Sequence, residues 1–241
     1  MKKTLSLLLL STPFIAQADV TIGVLGMTSQ SIYSGVDTST KWLPNISYEG
    51  EHLYFRYPDI GYRLTPKRAV QSFAIGLSYD PAAFDPSDSD NSDIQALEER
   101  DDAALAFASY RLGPISAKLA QDVSGAHNGF TAQIGVGYPI PAGNWKFIPT
   151  ISYHYVDANM SQHLYGVSQS ESTSTGGAIA AYTPGSTSHI KYGVRGFYPF
   201  SERLQLIINV SHTRYNKDIV SSPIAENDRV TSVLAGINFS F

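Results

Sequence analysis

The end of the chain has a strict two-residue period, and this constrains the fold more than any other feature of the sequence. From Val233 onward, one set of alternate positions is apolar and ends on an aromatic residue: Val233, Ala235, Ile237, Phe239 and Phe241. The positions between them are mostly small or polar: Leu234, Gly236, Asn238 and Ser240. Because successive side chains of a strand point to opposite faces, this period predicts a strand with unlike faces.

The same period recurs upstream in runs close to the roughly 9 to 11 residues that a tilted membrane-spanning strand needs. Clear runs begin at Phe73, Phe130, Phe147, Ile190 and Leu204, and with weaker ones the count is about eleven. Single-chain bacterial barrels have an even number of strands, so one more is expected. The fold class predicted is all-β: a transmembrane antiparallel up-and-down β-barrel of about 12 strands, as a single domain.

The missing strand has two candidate positions. Residues 52–64 are apolar at odd positions before Pro58 and at even positions after Asp59, so this segment contains a bulge or a turn. The alternative is residues 176–182, which are rich in small residues and weakly patterned.

Loop lengths favour a break near Pro58. Such barrels keep their periplasmic turns short and their external loops long. Four short connectors contain proline, a turn-forming residue: residues 65–67, 112–114, 139–143 and 199–202. Placing these in the periplasm puts three long segments outside the cell: residues 80–102, 156–187 and 215–229.

The N-terminus predicts export. Lys2 and Lys3 precede a short apolar run and an Ala-Gln-Ala triplet that ends at Ala18, which is the pattern of a secretory signal peptide. We therefore predict a signal peptide over residues 1–18 and the barrel over residues 19–241. Without the two lysines, 15 of the 17 basic residues remain against 21 acidic ones, a formal charge of −6, so nucleic acid is not an expected partner. With zero cysteines, no disulfide stabilises the fold.

An aromatic C-terminus on the apolar face of the last strand is similar to the signature that outer-membrane assembly machinery recognises. We predict that Phe239 and Phe241 form this signal. The expected location is the cell outer membrane, with its lipid and lipopolysaccharide as surroundings.

Four short motifs in order resemble the MipA/OmpV family of MltA-interacting outer-membrane proteins. They are Tyr-Ser-Gly-Val-Asp at 33–37, Pro-Asn-Ile-Ser-Tyr-Glu-Gly-Glu at 44–51, Tyr-Gly-Val at 165–167 and Ser-Pro-Ile at 222–224. A departure is Leu164, where many members carry a second tyrosine. The resemblance implies an outer-membrane protein whose eponymous member scaffolds a murein-cleaving transglycosylase together with a murein synthase. Other members are described as surface adhesins or stress-responsive proteins.

Three loop segments combine aromatic, glycine and proline features that a simple connector does not require. Exposed aromatic residues beside rigid turns are a common recognition chemistry, so we predict interaction loops at these segments. The alternative is that their glycine and proline residues only shape turns. The residues are Tyr33, Gly35, Asp37, Tyr165, Gly166, Val167, Ser222, Pro223 and Ile224.

Several charged residues fall on the face predicted to point into the barrel. They are Arg56, Lys118, Lys146, Lys191 and Arg195, together with Asp122. In a barrel of about 12 strands such side chains either fill the interior or line a narrow pore that prefers anions. Filling is favoured, since small barrels usually plug themselves.

The sequence gives little support for a catalytic site or a metal-binding site. Ser211 and His212 are adjacent on a strand and therefore face opposite sides. His154 falls on the inward face, where a hydrogen-bonding role is expected. Residues 88–99 partly match a calcium-binding loop, but Asp93 occupies the position that requires glycine.

The function predicted is a non-enzymatic scaffold or surface-contact protein, with no catalytic residue, metal or cofactor. The alternatives are a small channel for anions and, less favoured, a barrel hydrolase.

Overall fold

The computed structural model describes residues 19–81 and 84–241, so the signal peptide predicted at residues 1–18 lies outside the described residues. The strand segments are β1 (Asp19–Ser29), β2 (Ser39–Glu49), β3 (Leu53–Arg56), β4 (Asp59–Arg63), β5 (Gln71–Asp80), β6 (Ala103–Leu112), β7 (Ile115–Asp122), β8 (Phe130–Gly137), β9 (Ile140–Ala142), β10 (Trp145–Val156), β11 (Thr187–Pro199), β12 (Leu204–Tyr215) and β13 (Arg229–Ser240). Short helices lie in the loops: a 3₁₀ turn (Pro86–Asp88), α1 (Ser92–Gln95), α2 (Ala158–Tyr165), α3 (Gln169–Ser174) and α4 (Lys217–Val220). Among the described residues, no helix is long and apolar enough to cross a membrane.

The sheet closes on itself. Each strand pairs antiparallel with its neighbours in sequence, and β13 pairs with β1 along nine residue pairs, which include Ile237 opposite Val24. Both β8 and β9 pair with β10, so they form one strand that is interrupted at Tyr138 and Pro139. The thirteen segments therefore build twelve strands, and the predicted closed antiparallel barrel of about 12 strands is confirmed.

The two-residue period separates the two faces of the wall as predicted. On β13 the outward side chains Val233 and Ile237 are 45% and 49% exposed, whereas the inward Asn238 is 8% exposed. The amide of Asn45 donates a hydrogen bond to Asn238 inside the barrel. The apolar residues thus form a continuous outer surface that suits lipid, and the polar residues face the lumen.

The break near Pro58 is confirmed, because β3 and β4 form a hairpin whose turn contains Tyr57 and Pro58. Residues 176–182, the alternative twelfth strand, lie in the loop between β10 and β11, where Tyr182 pairs only with Val167.

The expected strand length is wrong for this hairpin, since β3 has four residues and β4 has five. Pro44 on β2 offers a physical reason. The N–H of Gly50 donates to Leu53 on β3, so alternate residues of β2 direct their backbone groups toward β3, and Pro44 falls in this alternate set. Proline has no N–H, and therefore it removes a donor that a longer β3 would need.

The two ends of the barrel differ. Asp19 and Phe241 lie at the same end as the short turns that lead into β3, β5, β7, β10 and β12. The long connections lie on the other side, as does the two-residue turn between β3 and β4. Since bacterial single-chain barrels keep short turns on the periplasmic side and long loops outside, we predict that the short-turn end faces the periplasm and the long-loop end faces the cell exterior.

Candidate functional site

The long loops fold together into one buried apolar cluster, here called the loop cap. It is built from the β1–β2, β5–β6, β10–β11 and β12–β13 connections and the strand residues beside them. No member is more than 8% exposed: Ile32, Tyr33, Phe84, Ile94, Leu97, Tyr165, Val167, Ile179, Ile219, Ile224 and Val230. These connections leave the ring of strands on different sides, so their contacts place the cap across the mouth of the barrel.

The loop cap brings together the three segments that the sequence singled out. The hydroxyl of Tyr33 donates to the carbonyl of Leu164, with 3.1 Å between the oxygens. The hydroxyl of Ser222 donates to the carbonyl of Tyr165 over 2.6 Å. Burial raises the pKa of both Tyr33 and Tyr165, so both phenols keep their protons and remain donors at neutral pH.

The expectation that these aromatic side chains are exposed is wrong. Tyr33 and Tyr165 are 4% and 5% exposed, because their rings pack against the apolar residues of the other loops. Gly166, Val167, Ser222 and Ile224 are also buried, Pro223 and Gly35 are half-buried, and Asp37 is exposed. Any role of these segments in recognition is therefore exerted through the shape of the cap and not through direct contact by Tyr33 or Tyr165.

Gly35 has a structural reason to be glycine. Its φ of +68° is in the left-handed region that favours glycine, and a Cβ there would lie 2.5 Å from the hydroxyl oxygen of Ser89. Its N–H donates to the carboxylate of Glu226. The turn-shaping alternative thus accounts for this residue.

A buried ion pair that sequence analysis missed holds two loops of the cap together. The Arg100 guanidinium donates to the carboxylate of Glu171 over 2.7 Å, and the two side chains are 9% and 5% exposed. A second nitrogen of Arg100 donates to the carbonyl of Gly166. The sequence carried one signal for this site: Ser168 and Glu171 have the spacing of a helix capping box, and both capping bonds are present.

In the segment before Arg100, Asp85 and Asn91 have local capping roles. The carboxylate of Asp85 accepts from the N–H and hydroxyl of Ser87, and the side chain of Asn91 accepts from the N–H of Asp93. Among the residues that the structure describes, no group of three or more acidic or histidine side chains is arranged to hold a metal ion.

Inside the barrel, a cavity of about 1,040 Å³ extends from the short-turn end between β6–β8 and β10–β12. Its inner wall carries glycine at Gly135 and Gly137, and the absence of side chains there leaves room in the lumen. Four basic residues line it: Arg111, Lys146, Lys191 and Arg195. Hydroxyl and amide groups line it as well, beside apolar residues such as Ile148: Ser116, Gln133, Thr150, Ser152, Asn209 and Ser211.

The five inward charges predicted from the sequence divide into two groups. Arg56 contacts Glu49, and Lys118 contacts both carboxylate oxygens of Asp59 at 2.8 Å, so these two cations are neutralised. Lys146, Lys191 and Arg195 line the cavity together with Arg111, and none of the four forms an ion pair with any residue that the structure describes.

Asp122 does not balance these cations. Its carboxylate accepts from the backbone N–H groups of Ser124, Gly125, His127 and Asn128, and so organises the β7–β8 loop. The sequence placed Asp122 correctly on the inward face, but it could not show that its own loop folds back onto it.

A serine and a histidine lie within hydrogen-bonding distance in the same cavity. Ser152 Oγ is 2.8 Å from His154 Nε2, and both residues face inward on β10. No aspartate or glutamate is found among the described lining residues, so the third group that orients a catalytic histidine is missing from this wall. As predicted, Ser211 and His212 face opposite sides: Ser211 lines the cavity, and His212 stacks outside on Tyr192.

Twelve antiparallel strands that close into a ring, with an apolar outer face and a polar lumen, define a class of protein. This chain is an outer-membrane β-barrel protein. Residues 22–241 match the family described as MltA-interacting protein MipA. The chain belongs to this family, and the family resemblance of its loop motifs is confirmed.

Relatives of known name agree with this location. The chain is 28% identical over 240 residues to "Putative outer membrane protein YiaT" of Escherichia coli K12, covering 97% of this chain and 96% of that protein. It is 25% identical over 213 residues to "MltA-interacting protein" of the same strain, covering 87% and 85%. "Outer membrane protein OmpV" of Vibrio cholerae serotype O1 is 23% identical over 225 residues, covering 91% and 85%. Among solved structures, the NanC porin shares 10% identity with a TM-score of 0.40, over 93% of this chain and 100% of that one.

Proposed function

We propose that this protein is a non-enzymatic scaffold of the outer membrane that binds a murein-cleaving transglycosylase at its periplasmic, short-turn end. The partner class comes from the relative named MltA-interacting protein, which aligns with 87% of the chain. A murein synthase is a further candidate for the same assembly. Lipid and lipopolysaccharide surround the barrel in this proposal, and the outer-membrane assembly machinery inserts it.

The loop cap is the observation that favours a role in binding over a role in transport. Four connections are packed into one core in which Ile94, Ile219 and Ile224 are fully buried. Such a core holds the loops as a fixed cover over the external mouth, since opening it would expose apolar side chains to water. A protein with a covered outer mouth offers its surfaces for contact, and murein enzymes can reach only its periplasmic end.

Site-specific photocrosslinking tests both the partner and the face. A photoreactive phenylalanine analogue placed at Val70 lies in a short turn where the native side chain is 75% exposed. The same analogue at Gln169 lies on the exposed side of α3 in the cap. We expect crosslinks to the transglycosylase from position 70 in intact envelopes, and none from position 169.

A matched pair of controls makes the result interpretable. Both variants should migrate on gels with the heat-dependent shift of a folded barrel, which shows that each has assembled. Crosslinks to the transglycosylase from position 169 alone, or from neither position despite normal assembly, would contradict the proposal. Crosslinks from position 169 to a surface molecule would favour the surface-contact role instead.

A second candidate function is a small anion-preferring channel. Lys146, Lys191 and Arg195 on the lumen wall favour it, because they form no ion pair with a residue that the structure describes. Conductance in planar bilayers distinguishes the two: a channel gives steady anion-selective currents with the wild-type protein, whereas a capped scaffold does not.

A further inference from the structure

The cavity at the short-turn end contains basic residues and is open to solutes from the periplasm. Lys191 and Arg195 are both more than a third exposed although they face the interior of the barrel, so they contact water in the lumen. The cavity lining includes Gly113, Pro114 and Pro139 in the turns, and thus the cavity opens to the periplasmic side. A solute can enter it from the periplasm without crossing the loop cap.

A row of ring contacts lies at the inner end of the cavity. The imidazole of His154 stacks on His189 with 4.5 Å between ring centroids, and His189 contacts Tyr215 at 5.4 Å. Tyr215 in turn packs against the loop cap. These residues are cross-strand neighbours on β10, β11 and β12, so they connect this side of the wall to the loop cap, which covers the external mouth. The mouth of the cavity is therefore the periplasmic one.

We propose that this pocket binds an elongated oligoanion from the periplasm, with carboxylate or phosphate groups that contact Lys191 and Arg195 in turn. The two residues lie on one face of β11, four positions apart, which corresponds to about 13 Å along the strand. With Arg111 on β6 and Lys146 on β10, the four cations are spread over three strands of the cavity, and a single small anion does not span them all. Arg111 and Lys146 add positive charge, and the hydroxyl and amide groups of the wall add hydrogen-bond donors.

A comparison of the basic residues within the lumen indicates that those of the pocket bind a ligand and do not only fill the interior of the barrel. Elsewhere in the lumen, Arg56 and Lys118 each have an acidic neighbour. The four cations of the pocket have no acidic neighbours among the described lining residues. Like charges in one cavity repel, and an anion that enters relieves this repulsion and gains charge-assisted hydrogen bonds.

Isothermal titration calorimetry on the refolded full chain in detergent micelles tests the proposal. Tetraglutamate and inorganic tetrapolyphosphate serve as elongated carboxylate and phosphate probes, and acetate and inorganic phosphate serve as short ones. The double variant K191Q/R195Q removes two pocket cations. The matched control R68Q/R203Q removes two exposed cations from turns at the same end but outside the lumen.

We expect at least one elongated probe to bind the wild type and to bind K191Q/R195Q about tenfold or more weakly, since each lost contact is a hydrogen bond to a charged group. The control should bind within about twofold of the wild type, and added salt should weaken binding. The stronger of the two elongated probes identifies the ligand chemistry. Heat-dependent gel migration verifies that both variants are folded.

Three outcomes would overturn the proposal. Neither elongated probe binds the wild type, or the control loses as much affinity as K191Q/R195Q, or the short anions bind as tightly as the elongated ones. Steady anion currents through the wild-type barrel would overturn the single-mouth pocket and show a through-channel instead.

Discussion

The terminal aromatic residues Phe239 and Phe241 lie on the outer face of the last strand, with their ring centroids 5.0 Å apart. Phe241 is 70% exposed, and its backbone N–H donates to the carbonyl of Val20 where β13 meets β1. Its ring therefore contributes little to a core. Because it is exposed, the outer-membrane assembly machinery can bind it.

Deletion of Phe241 should slow membrane insertion, because it removes the last residue of the apolar face. The measurement is the fraction of the protein that reaches the outer membrane and shows heat-dependent gel migration at successive times after synthesis. Phe200→Ala is a matched control, since Phe200 is an exposed aromatic residue in a turn at the same end. Normal insertion of the truncated chain would show that Phe241 is no signal.

The lowered pKa of Glu171 predicts that acid destabilises the loop cap. Burial alone would raise its pKa, but hydrogen bonds from Ser168 and Arg100 outweigh this and hold the pKa below the ordinary value of 4.5. A depressed pKa stabilises the folded cap fully above pH 4.5, and this contribution is lost as the pH falls through the folded-state pKa. Cleavage of the loops by pepsin should therefore rise below pH 4.5.

Two substitutions isolate the ion pair. Glu171→Gln removes the titrating group, so the pH dependence of cleavage should flatten. Arg100→Met leaves a buried carboxylate without its partner, which costs about 3 to 5 kcal/mol and should make the loops cleavable by chymotrypsin, at residues such as Leu97 and Tyr165, even at neutral pH. If Glu171→Gln retains the acid transition of the wild type, another group controls it.

Among the elements, the strands were predictable from sequence because their two faces meet different surroundings. A strand with lipid on one side and water or polar side chains on the other must alternate, and the runs near Phe130, Phe147 and Val233 do so. The reversal of phase at Pro58 located the β3–β4 hairpin. Its short length was missed, because no period in the sequence shows that pairing with β2 ends where Arg56 lies opposite Ser47.

The loop cap and the ion pairs inside the barrel were not predictable, since no periodic pattern in the sequence indicates which loops or side chains are in contact. Tyr33 contacts a carbonyl 131 positions away, and Arg100 reaches a carboxylate 71 positions away. The motifs at 33–37, 165–167 and 222–224 marked the right segments, but they did not distinguish a buried core from an exposed recognition surface. Which lumen cations are neutralised likewise depends on contacts across strands.

The connection between β10 and β11 offers a direct test of topology. Gly176 and Gly177 both have positive φ values, and a Cβ built at either one meets no atom within 4 Å, so an epitope inserted between them should be accommodated. Antibody should label this epitope on intact cells. An epitope inserted after Arg68, in a short turn, should be labelled only after permeabilisation. The reverse pattern would invert the assignment of the two ends.

At the scale of the whole molecule, the barrel and the loop cap are two layers that different forces hold together. The wall is a closed ring of backbone hydrogen bonds, which leaves no strand pair dependent on the loops. The cap is a small apolar core formed by side chains from distant loops. Damage to the cap is therefore expected to leave the wall intact.

Replacing Tyr33, Tyr165 and Ile224 together by serine tests this separation. Each substitution removes a large buried side chain and so costs the cap about 2 to 5 kcal/mol, and the sum exceeds what a small core can supply. The barrel should still assemble and show heat-dependent gel migration, whereas trypsin should cut at Arg100 or Lys217 in the loosened loops. A barrel that fails to assemble would show that the two layers fold as one unit.

The same triple variant should also change the permeability of the barrel. With the cap open, ring contacts at His189 and Tyr215 lose the packing behind them, because Tyr215 rests on the cap. The basic lumen would then connect both sides of the membrane, so anion-selective currents should appear in planar bilayers with the variant and not with the wild type. Adding K191Q/R195Q to the variant should reduce the preference for anions, since those cations line the path. If the triple variant is cleaved in its loops and still does not conduct, the row of ring contacts closes the lumen without help from the cap.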